Sequence, residues 1–360
     1  MALTKVRLGG FEPQYVGRRN LVINGAMQVA QRSTSVTGVG DSAGYFTCDR
    51  WKIETNETAG RATMTQTADV HDGFANCLKL DCTTADTSIA ASELFQISYK
   101  IEGQDLQQLK KGTSDAESIT ISFYTKANAA FTFGLEVYDN DNTRQMTKLF
   151  TTTTDWVRQE LTFPADTTGA LDDDNALSMF LSFWLHAGST FSSGTLETSF
   201  ASATNANRAA GIDSFFSSTD NNFFLTGVQL EVGSVATPFE HRTYAEELAL
   251  CQRYYQVVPK YTFFIGAVEV GTASLRAGVP LARTLRASPT IGNITLVIYD
   301  DDDTPFNNAA HAIFANSGSP EVDGTTGYLS VVFNGNLSGR TDNHNVTALY
   351  GTNGTLDSEL

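Results

Sequence analysis

The chain has 360 residues, of which 41% are hydrophobic and 11% aromatic, and this composition supports a packed core and excludes a disordered chain. Asp and Glu outnumber Lys and Arg by 40 to 24, which gives a net charge of −16. Because an acidic surface repels phosphate backbones and anionic lipid, neither nucleic acid nor membrane is expected as a partner. The length favours two or three domains.

The compartment follows from two absences in the sequence. No apolar stretch approaches the roughly 20 residues that span a bilayer, and residues 1–10 lack the apolar centre of a signal peptide. We therefore expect synthesis in a cytoplasm without export by that route. The cysteines show no C-x-x-C spacing, and reduced thiols are the default there, with a Cys77–Cys82 bridge as the alternative.

The first elements in chain order are an arm and two short motifs. Residues 1–20 are rich in Gly and include Arg18 and Arg19, which predicts an extended attachment arm that becomes ordered on assembly. Asn24-Gly25 predicts a tight turn, since both residue types tolerate positive φ. Asp49-Arg50-Trp51 is interpreted as part of a strand with Trp51 in the core. Arg50 would then face the opposite side, free to pair with a carboxylate across a subunit boundary.

Strand patterns dominate the next part of the chain. A short helix is predicted over residues 104–111, closed by Gly112. Alternating polar and apolar residues then predict strands over 118–126, 131–138, 155–163, 178–185 and 223–232. Because no strand–helix alternation is visible, the pattern favours an antiparallel β-sandwich or jelly roll and argues against a parallel α/β sheet.

Residues 186–221 lack apolar periodicity and are interpreted as a long exposed excursion between two strands. Aromatic residues near its ends and in the preceding strands are candidates for contacts with a glycan, above all Trp156 and Trp184. The competing interpretation places such side chains in the core or in an interface.

A helix of about three turns is predicted over residues 243–256, where it joins two β domains. Thr243 and Glu246 have the spacing of a capping box, and Tyr244, Leu248, Cys251 and Tyr255 are predicted to form one hydrophobic seam used in assembly. The predicted domains are an arm over 1–20, a jelly-roll sandwich over 21–242, the junction helix, and a smaller β domain over 257–360.

Metal and catalytic chemistry find little support in the motifs. Asp300, Asp302, Asp139 and Asp141 offer oxygen ligands that Ca²⁺ prefers, but neither cluster matches an EF-hand loop, and acids in turns are usually solvated. No cofactor is therefore predicted beyond this calcium hypothesis. The histidines are scattered, and no nucleophile elbow, phosphate-binding loop or dinucleotide fingerprint occurs. The prediction is a protein that is not an enzyme.

Several segments, in order, resemble proteins of bacteriophage tail fibres and tail appendages. Residues 20–32 (NLVINGAMQVAQR) and 45–51 (YFTCDRW) resemble the opening of such proteins. Residues 229–240 resemble the closing strand of the same domain and lead into 247–255 (ELALCQRYY), while 280–290 and 357–360 (DSEL) match the style of their C-terminal domains.

The resemblance implies a jelly roll related in shape to carbohydrate-binding modules and a homotrimer within a virion tail. It supplies no catalytic residue. The function predicted is a virion structural subunit that contributes to adhesion to a host-surface glycan and attaches to other tail proteins through its arm. The alternatives are an architectural adaptor without receptor binding and a glycan-degrading tail enzyme.

Overall fold

The computed structural model describes residues 18–259, 281–292 and 354–360 in full, and the backbone of short strands between them. Every strand pairing in it is antiparallel. One sheet has six strands, in the spatial order β1 (Ser35–Val39), β4 (Arg61–Thr67), β5 (Cys77–Thr84), β13 (Asn222–Val232), β7 (Ile119–Ala127) and β10 (Val157–Phe163).

A second sheet of seven strands packs against the first. Its spatial order is β12 (Ala201–Ser202), β9 (Arg144–Thr151), β8 (Thr132–Asp139), β11 (Leu177–Ala187), β6 (Leu94–Glu102), β3 (Trp51–Asn56) and β2 (Gly44–Tyr45). The predicted all-β class, with antiparallel sheets in a jelly-roll sandwich, is confirmed. All five strands predicted between residues 118 and 232 are present, within three residues of their predicted bounds.

The core lies between the two sheets and is built by strict alternation along the strands. In β11, Met179, Leu181, Phe183 and Leu185 are buried against the six-stranded sheet, whereas the residues between them face the other side. Trp51 is fully buried against Tyr99 and Phe183 rings, as predicted, and burial of so large an apolar surface stabilises the sandwich by about 2–3 kcal/mol.

The junction helix, α2, is shorter than predicted. It covers Tyr244–Cys251, two turns, and begins with the predicted capping box between Thr243 and Glu246. Tyr255 lies in the next strand, and Tyr244 is 57% exposed, so the four predicted seam residues do not share one helix face. Within the described part of the chain, no helix has the length and apolar composition that crossing a bilayer would demand.

Two further predictions need correction. Residues 104–111 do not form the predicted helix. They lie in two 3-10 turns, Gly103–Asp105 and Gln107–Leu109, and the second ends where Lys110 adopts a left-handed conformation with φ 49°. The excursion between β11 and β13 is not simply exposed. It folds back through a helical turn, α1 (Ser189–Ser192), and buries Phe215 and Phe216 completely.

The remaining strands form smaller antiparallel sheets. The three-stranded sheet contains β14 (Tyr255–Val258), β23 (Gly354–Asp357) and β17 (Thr290–Gly292). The five-stranded sheet contains β20 (Ser319–Pro320), β21 (Tyr328–Asn334), β16 (Ser274–Pro280), β15 (Gly266–Val268) and β22 (Asn345–Val346), and β18 (Thr295–Leu296) pairs with β19 (Phe314–Ala315). The three predicted domain boundaries stay predictions.

All four cysteines are free and buried in the structure, and their reduced state stays a prediction. Burial raises the pKa of Cys77 to about 12 and that of Cys82 to about 11. Because the thiolate is the reactive form, we expect a maleimide reagent at neutral pH to label less than one thiol per folded chain and four per chain in denaturant. Rapid labelling of the folded protein would contradict this placement.

Candidate functional site

The motifs that carry the sequence resemblance converge on one buried junction, in which Asn24 is the central residue. Its side chain donates to the Val29 and Asp49 carbonyls, both at 2.9 Å, and accepts from the Val29 N–H at 2.9 Å. Its backbone N–H donates to Glu247 Oε2 at 2.7 Å, and its carbonyl accepts from Trp51 Nε1 at 3.1 Å. Asn24 thus joins the first turn to the D-R-W motif and to α2.

The Asn24-Gly25 turn is confirmed, although its two residues serve different purposes. Asn24 has φ 57°, a left-handed conformation that asparagine tolerates better than most residues. A Cβ on Gly25 would lie 2.1 Å from the Val228 carbonyl oxygen, so the close approach of β13 excludes any side chain there. The turn therefore fixes residues 20–26 against the centre of β13.

Asp49 and the Q-R pair form the second layer of this junction. Gln31 donates to both oxygens of Asp49, from its backbone at 2.9 Å and from its side chain at 2.5 Å, and also to the Tyr255 carbonyl at 2.9 Å. Arg32 lies over the Tyr255 ring at 3.6 Å and donates to Asp357 at 3.0 Å. Burial raises the pKa of Asp49, although the bonds from Gln31 oppose that effect.

Arg50 differs from its prediction in both backbone and partner. It lies in a turn with φ 73° before β3 begins, and its side chain is 1% exposed. Its guanidinium forms an ion pair with Glu359 of the same chain, donates to the Lys100 carbonyl at 2.7 Å and stacks over Tyr254 at 3.4 Å. The predicted pairing across a subunit boundary is therefore wrong for this side chain.

Residues 354–360 are held to the seven-stranded sheet by further contacts. Arg286 donates to the Ser358 carbonyl at 2.8 Å and to the Asn175 carbonyl at 2.8 Å. The Ser358 hydroxyl donates to the Arg253 carbonyl at 3.1 Å. The Arg253 guanidinium in turn donates to both oxygens of the buried Glu102, at 3.0 and 2.7 Å. The resemblance motifs thus form a structural junction, and no nucleophile–base pair lies among its described residues.

The predicted assembly residues are distributed around this junction. Arg18 lines an open groove of about 360 Å³ together with Asn20, Gln104, Asp105, Gln107 and Arg242. The Arg19 N–H donates to Glu240 at 2.9 Å. Leu248 is half-buried and Cys251 is fully buried. Among the predicted assembly residues that the structure describes, only Tyr244 presents a large apolar surface to solvent. Residues 1–17 of the predicted arm lie outside the described residues.

The two tryptophans predicted to contact a glycan have different environments. Trp184 lies on the outer face of the seven-stranded sheet but is fully buried, because Phe191 and Arg208 from the excursion cover it and its Nε1 donates to Glu136 at 2.9 Å. The prediction for Trp184 is therefore wrong. Trp156 is half-buried on the outer face of the six-stranded sheet, where its ring meets Phe224.

The outer face of the six-stranded sheet carries a cluster of aromatic side chains, here called the aromatic band. Its rings lie 4.3–6.4 Å from their neighbours and are half-buried or exposed. The members are His71, Phe74, Tyr124, Phe239 and His241. Lys126 links this band to Trp156, because its Nζ lies 5.5 Å from the Trp156 ring while its backbone is two residues from Tyr124.

Charged groups border the aromatic band. Lys126 Nζ lies 2.7 Å from Asp69 Oδ1 and 4.5 Å from the Phe224 ring. Arg158 stands opposite Tyr124 in the register of β10 and β7. The buried Nε1 of Trp156 has no hydrogen-bond partner in the described part of the chain. Apolar ring surface beside hydrogen-bonding groups is the chemistry that binding sites for small polar ligands use.

The predicted calcium ligands are engaged elsewhere or lie outside the described residues. Asp139 is fully buried, pairs with Lys111 at 2.5 Å and accepts from Asn142 at 3.0 Å. Asp141 accepts from the Asp172 N–H at 3.0 Å. An ammonium group at Asp139 occupies the place of a cation, so this pair does not fit Ca²⁺. Asp300 and Asp302 lie outside the described residues.

The sequence interpretation missed Glu247 and the aromatic band. A charged residue on a short helix is expected to be exposed to solvent, yet Glu247 is only 2% exposed. It accepts hydrogen bonds from the Asn24 N–H and the Arg242 guanidinium. The band unites residues from β7, from the loop before β5 and from the segment after β13. Only Tyr124 among them could be placed from the alternation of polar and apolar residues, because its neighbour Phe123 points into the core and Tyr124 must therefore point to the outer face.

Comparison with known proteins finds similar solved structures at low identity and low TM-score. No family model and no curated protein matches the chain. Among solved structures, it is similar to a CBM4 module, at 16% identity and a TM-score of 0.31 over 58% of this chain and 97% of that one. It is similar to TmCBM61, solved with β-1,4-galactotriose, at 12% identity and a TM-score of 0.30, covering 59% and 99%.

A third similar structure is the enzymatically active domain of tailspike protein 4 from bacteriophage CBA120. The identity is 11% and the TM-score 0.30, over 59% of this chain and 21% of that one. At such TM-scores the likenesses carry no argument about function.

Proposed function

We propose that the chain is a non-catalytic structural subunit of a phage tail fibre or tail appendage, and that its sandwich binds a host-surface glycan through the aromatic band. The ordered sequence resemblance supports the virion role. The aromatic band is the single structural observation on which the adhesive role rests. The assembly is proposed as a homotrimer attached to other tail proteins through residues 1–20.

The physical case for glycan binding rests on ring surface and its charged border. A sugar has apolar C–H faces that pack on aromatic rings and hydroxyl groups that require hydrogen-bond partners. The band offers rings that contact one another over the outer face of the six-stranded sheet, with Lys126, Asp69 and Arg158 beside them. Because each ring already packs against its neighbours, less side-chain freedom is lost on binding.

Binding can be tested with a paired variant, His71→Ala with Phe239→Ala. Both side chains lie on the surface of the band, so their loss spares the core. Each aromatic contact is worth about 1 kcal/mol, and we expect loss of both to weaken glycan affinity about 10-fold or more. Affinity electrophoresis in a panel of host polysaccharides, together with a glycan array, supplies the measurement.

Tyr138→Ala is the matched control, because its half-buried ring lies on the outer face of the opposite sheet, stacked 4.6 Å from Phe180. Binding should survive this change. Equal binding by wild type and the paired variant would remove the band from the proposal. A wild type that binds no glycan yet assembles into particles would establish the architectural alternative.

The architectural alternative has one observation in its favour. Most of the motifs that resemble tail proteins meet in the buried junction around Asn24, Arg50 and residues 354–360, and Phe239 is their single contribution to the aromatic band. A subunit that serves only as a spacer needs that junction and no ligand. The enzymatic alternative would require release of reducing sugar from host polysaccharide, which the same binding samples can be assayed for.

A further inference from the structure

Three metal-ligating side chains meet in the interior, away from both the junction and the aromatic band. Asp86 follows β5, Glu93 precedes β6, and His186 lies near the end of β11. Their ligating atoms all lie within 4.8 Å of one another. The exposed fractions are 5% for Asp86, 5% for Glu93 and zero for His186. Burial distinguishes this group from the acidic turns of the surface.

The charge of this group is not balanced by basic residues. Glu93 pairs only with His186, at 3.1 Å, and within the described ranges no Lys or Arg lies within ion-pair distance of Asp86 or Glu93. Even a protonated imidazole leaves two carboxylates with one positive charge, which is costly in a buried site.

The surrounding groups orient the three side chains toward a common point. Ser214 Oγ lies 2.8 Å from His186 Nδ1, so the remaining ring nitrogen, Nε2, faces Glu93. The Thr58 hydroxyl holds Asp86 Oδ2 at 2.9 Å. The Ala90 N–H holds Glu93 Oε1 at 2.9 Å, which leaves Oε2 toward the imidazole. A histidine ligand whose second nitrogen contacts a hydrogen-bonding group is the usual arrangement in metal sites.

We propose that Asp86, Glu93 and His186 bind a divalent first-row transition-metal ion, with Zn²⁺ as the best match. One imidazole nitrogen and two carboxylates are ligands that Zn²⁺ accepts, and two positive charges neutralise both acids. Ca²⁺ takes six to eight oxygen ligands and fits poorly beside an imidazole. The ion would tie the β5–β6 connection to β11, beneath the excursion that contributes Ser214.

The probe is zinc chloride, added to the full-length protein after removal of metal by a chelator. Because the site is buried, the protein is also refolded with and without the ion. We expect one zinc per chain by mass spectrometry of the desalted protein, a rise in melting temperature, and a dissociation constant measurable by calorimetry. Calcium chloride should produce none of these three results.

Glu93→Gln is the decisive variant, because glutamine keeps the shape and can still accept from the Ala90 N–H. Loss of a ligand should weaken zinc affinity at least about 100-fold, beyond the loss seen when outer partners are removed. The paired variant His71→Ala with His241→Ala removes the surface histidines of the aromatic band and should bind zinc as wild type does.

Two results would overturn the assignment. One is a wild-type protein that neither retains zinc nor changes its melting temperature, before or after refolding. The other is a Glu93→Gln variant that binds zinc as tightly as wild type. The first would mean that the three side chains are held together by shared protons alone, with the Ser214 hydroxyl donating to His186 Nδ1 and Nε2–H donating to Glu93. The second would mean that zinc binds at another place on the protein.

Discussion

Replacement of Asn24 by alanine should lower the free energy of unfolding by about 4 kcal/mol. Three side-chain hydrogen bonds would be lost, and the Val29 N–H and the Asp49 carbonyl would remain buried without the Asn24 side chain as partner, whereas the Val29 carbonyl keeps its bond from the Asp49 N–H at 2.9 Å. Each such group costs about 1–3 kcal/mol. Alanine would also have to adopt φ 57°, which adds about 1 kcal/mol of backbone strain.

Chemical denaturation followed by tryptophan fluorescence measures this loss, since Trp51 donates directly to the Asn24 carbonyl. Asn56→Ala is the matched control. Asn56 is exposed, and its side chain donates to the Ser92 carbonyl at 2.9 Å, so its loss should cost about 0.5–1.5 kcal/mol. Equal losses for the two variants would show that the Asn24 network does not hold the junction together.

Replacement of Arg50 by methionine should cost about 3–5 kcal/mol, the usual penalty for removing one partner of a buried ion pair. The change leaves the 4% exposed Glu359 without its closest cation and removes the bond to the Lys100 carbonyl. The segment 354–360 would then lose a main attachment to the sandwich. We expect faster cleavage within that segment by a protease in the native state.

A double-mutant cycle with Glu359→Gln separates the pair from its surroundings. We expect a coupling energy of about 2 kcal/mol, within the range for contacting residues. Lys52→Met provides the comparison, because the Lys52–Glu54 pair at 2.9 Å is partly exposed and should contribute less than about 1 kcal/mol. A coupling near zero for Arg50 and Glu359 would contradict the described contact.

The strands could be predicted because their side chains alternate between a core and an outer face. Residues 178–185 carry this signal clearly, and β11 extends it by only a few residues. Strand β9 was missed because Thr and Lys hide its alternation, with only Met146 and Phe150 buried toward the core. The helix prediction ran too long because apolar spacing continues through Tyr255, while the chain has already turned into β14.

The candidate sites were harder to predict because they depend on contacts between distant segments. Trp156 and Trp184 were both predicted to lie in strands, and only the path of the excursion decides that Trp184 is covered. Asp86, Glu93 and His186 lie up to 100 positions apart in the sequence, and their spacing matches no metal-binding motif. Arg50 had a predicted carboxylate partner, but periodicity cannot say that this partner lies in the same chain.

The sequence separation within the junction has a consequence for biosynthesis. Arg50 and its partner Glu359 are 309 residues apart, and Arg32 and Asp357 are 325 apart. At about 5–20 residues per second, translation leaves both arginines without these carboxylates for roughly 15–60 s. The nascent sandwich therefore lacks these two ion pairs until residues 354–360 have been synthesised and can pack against it.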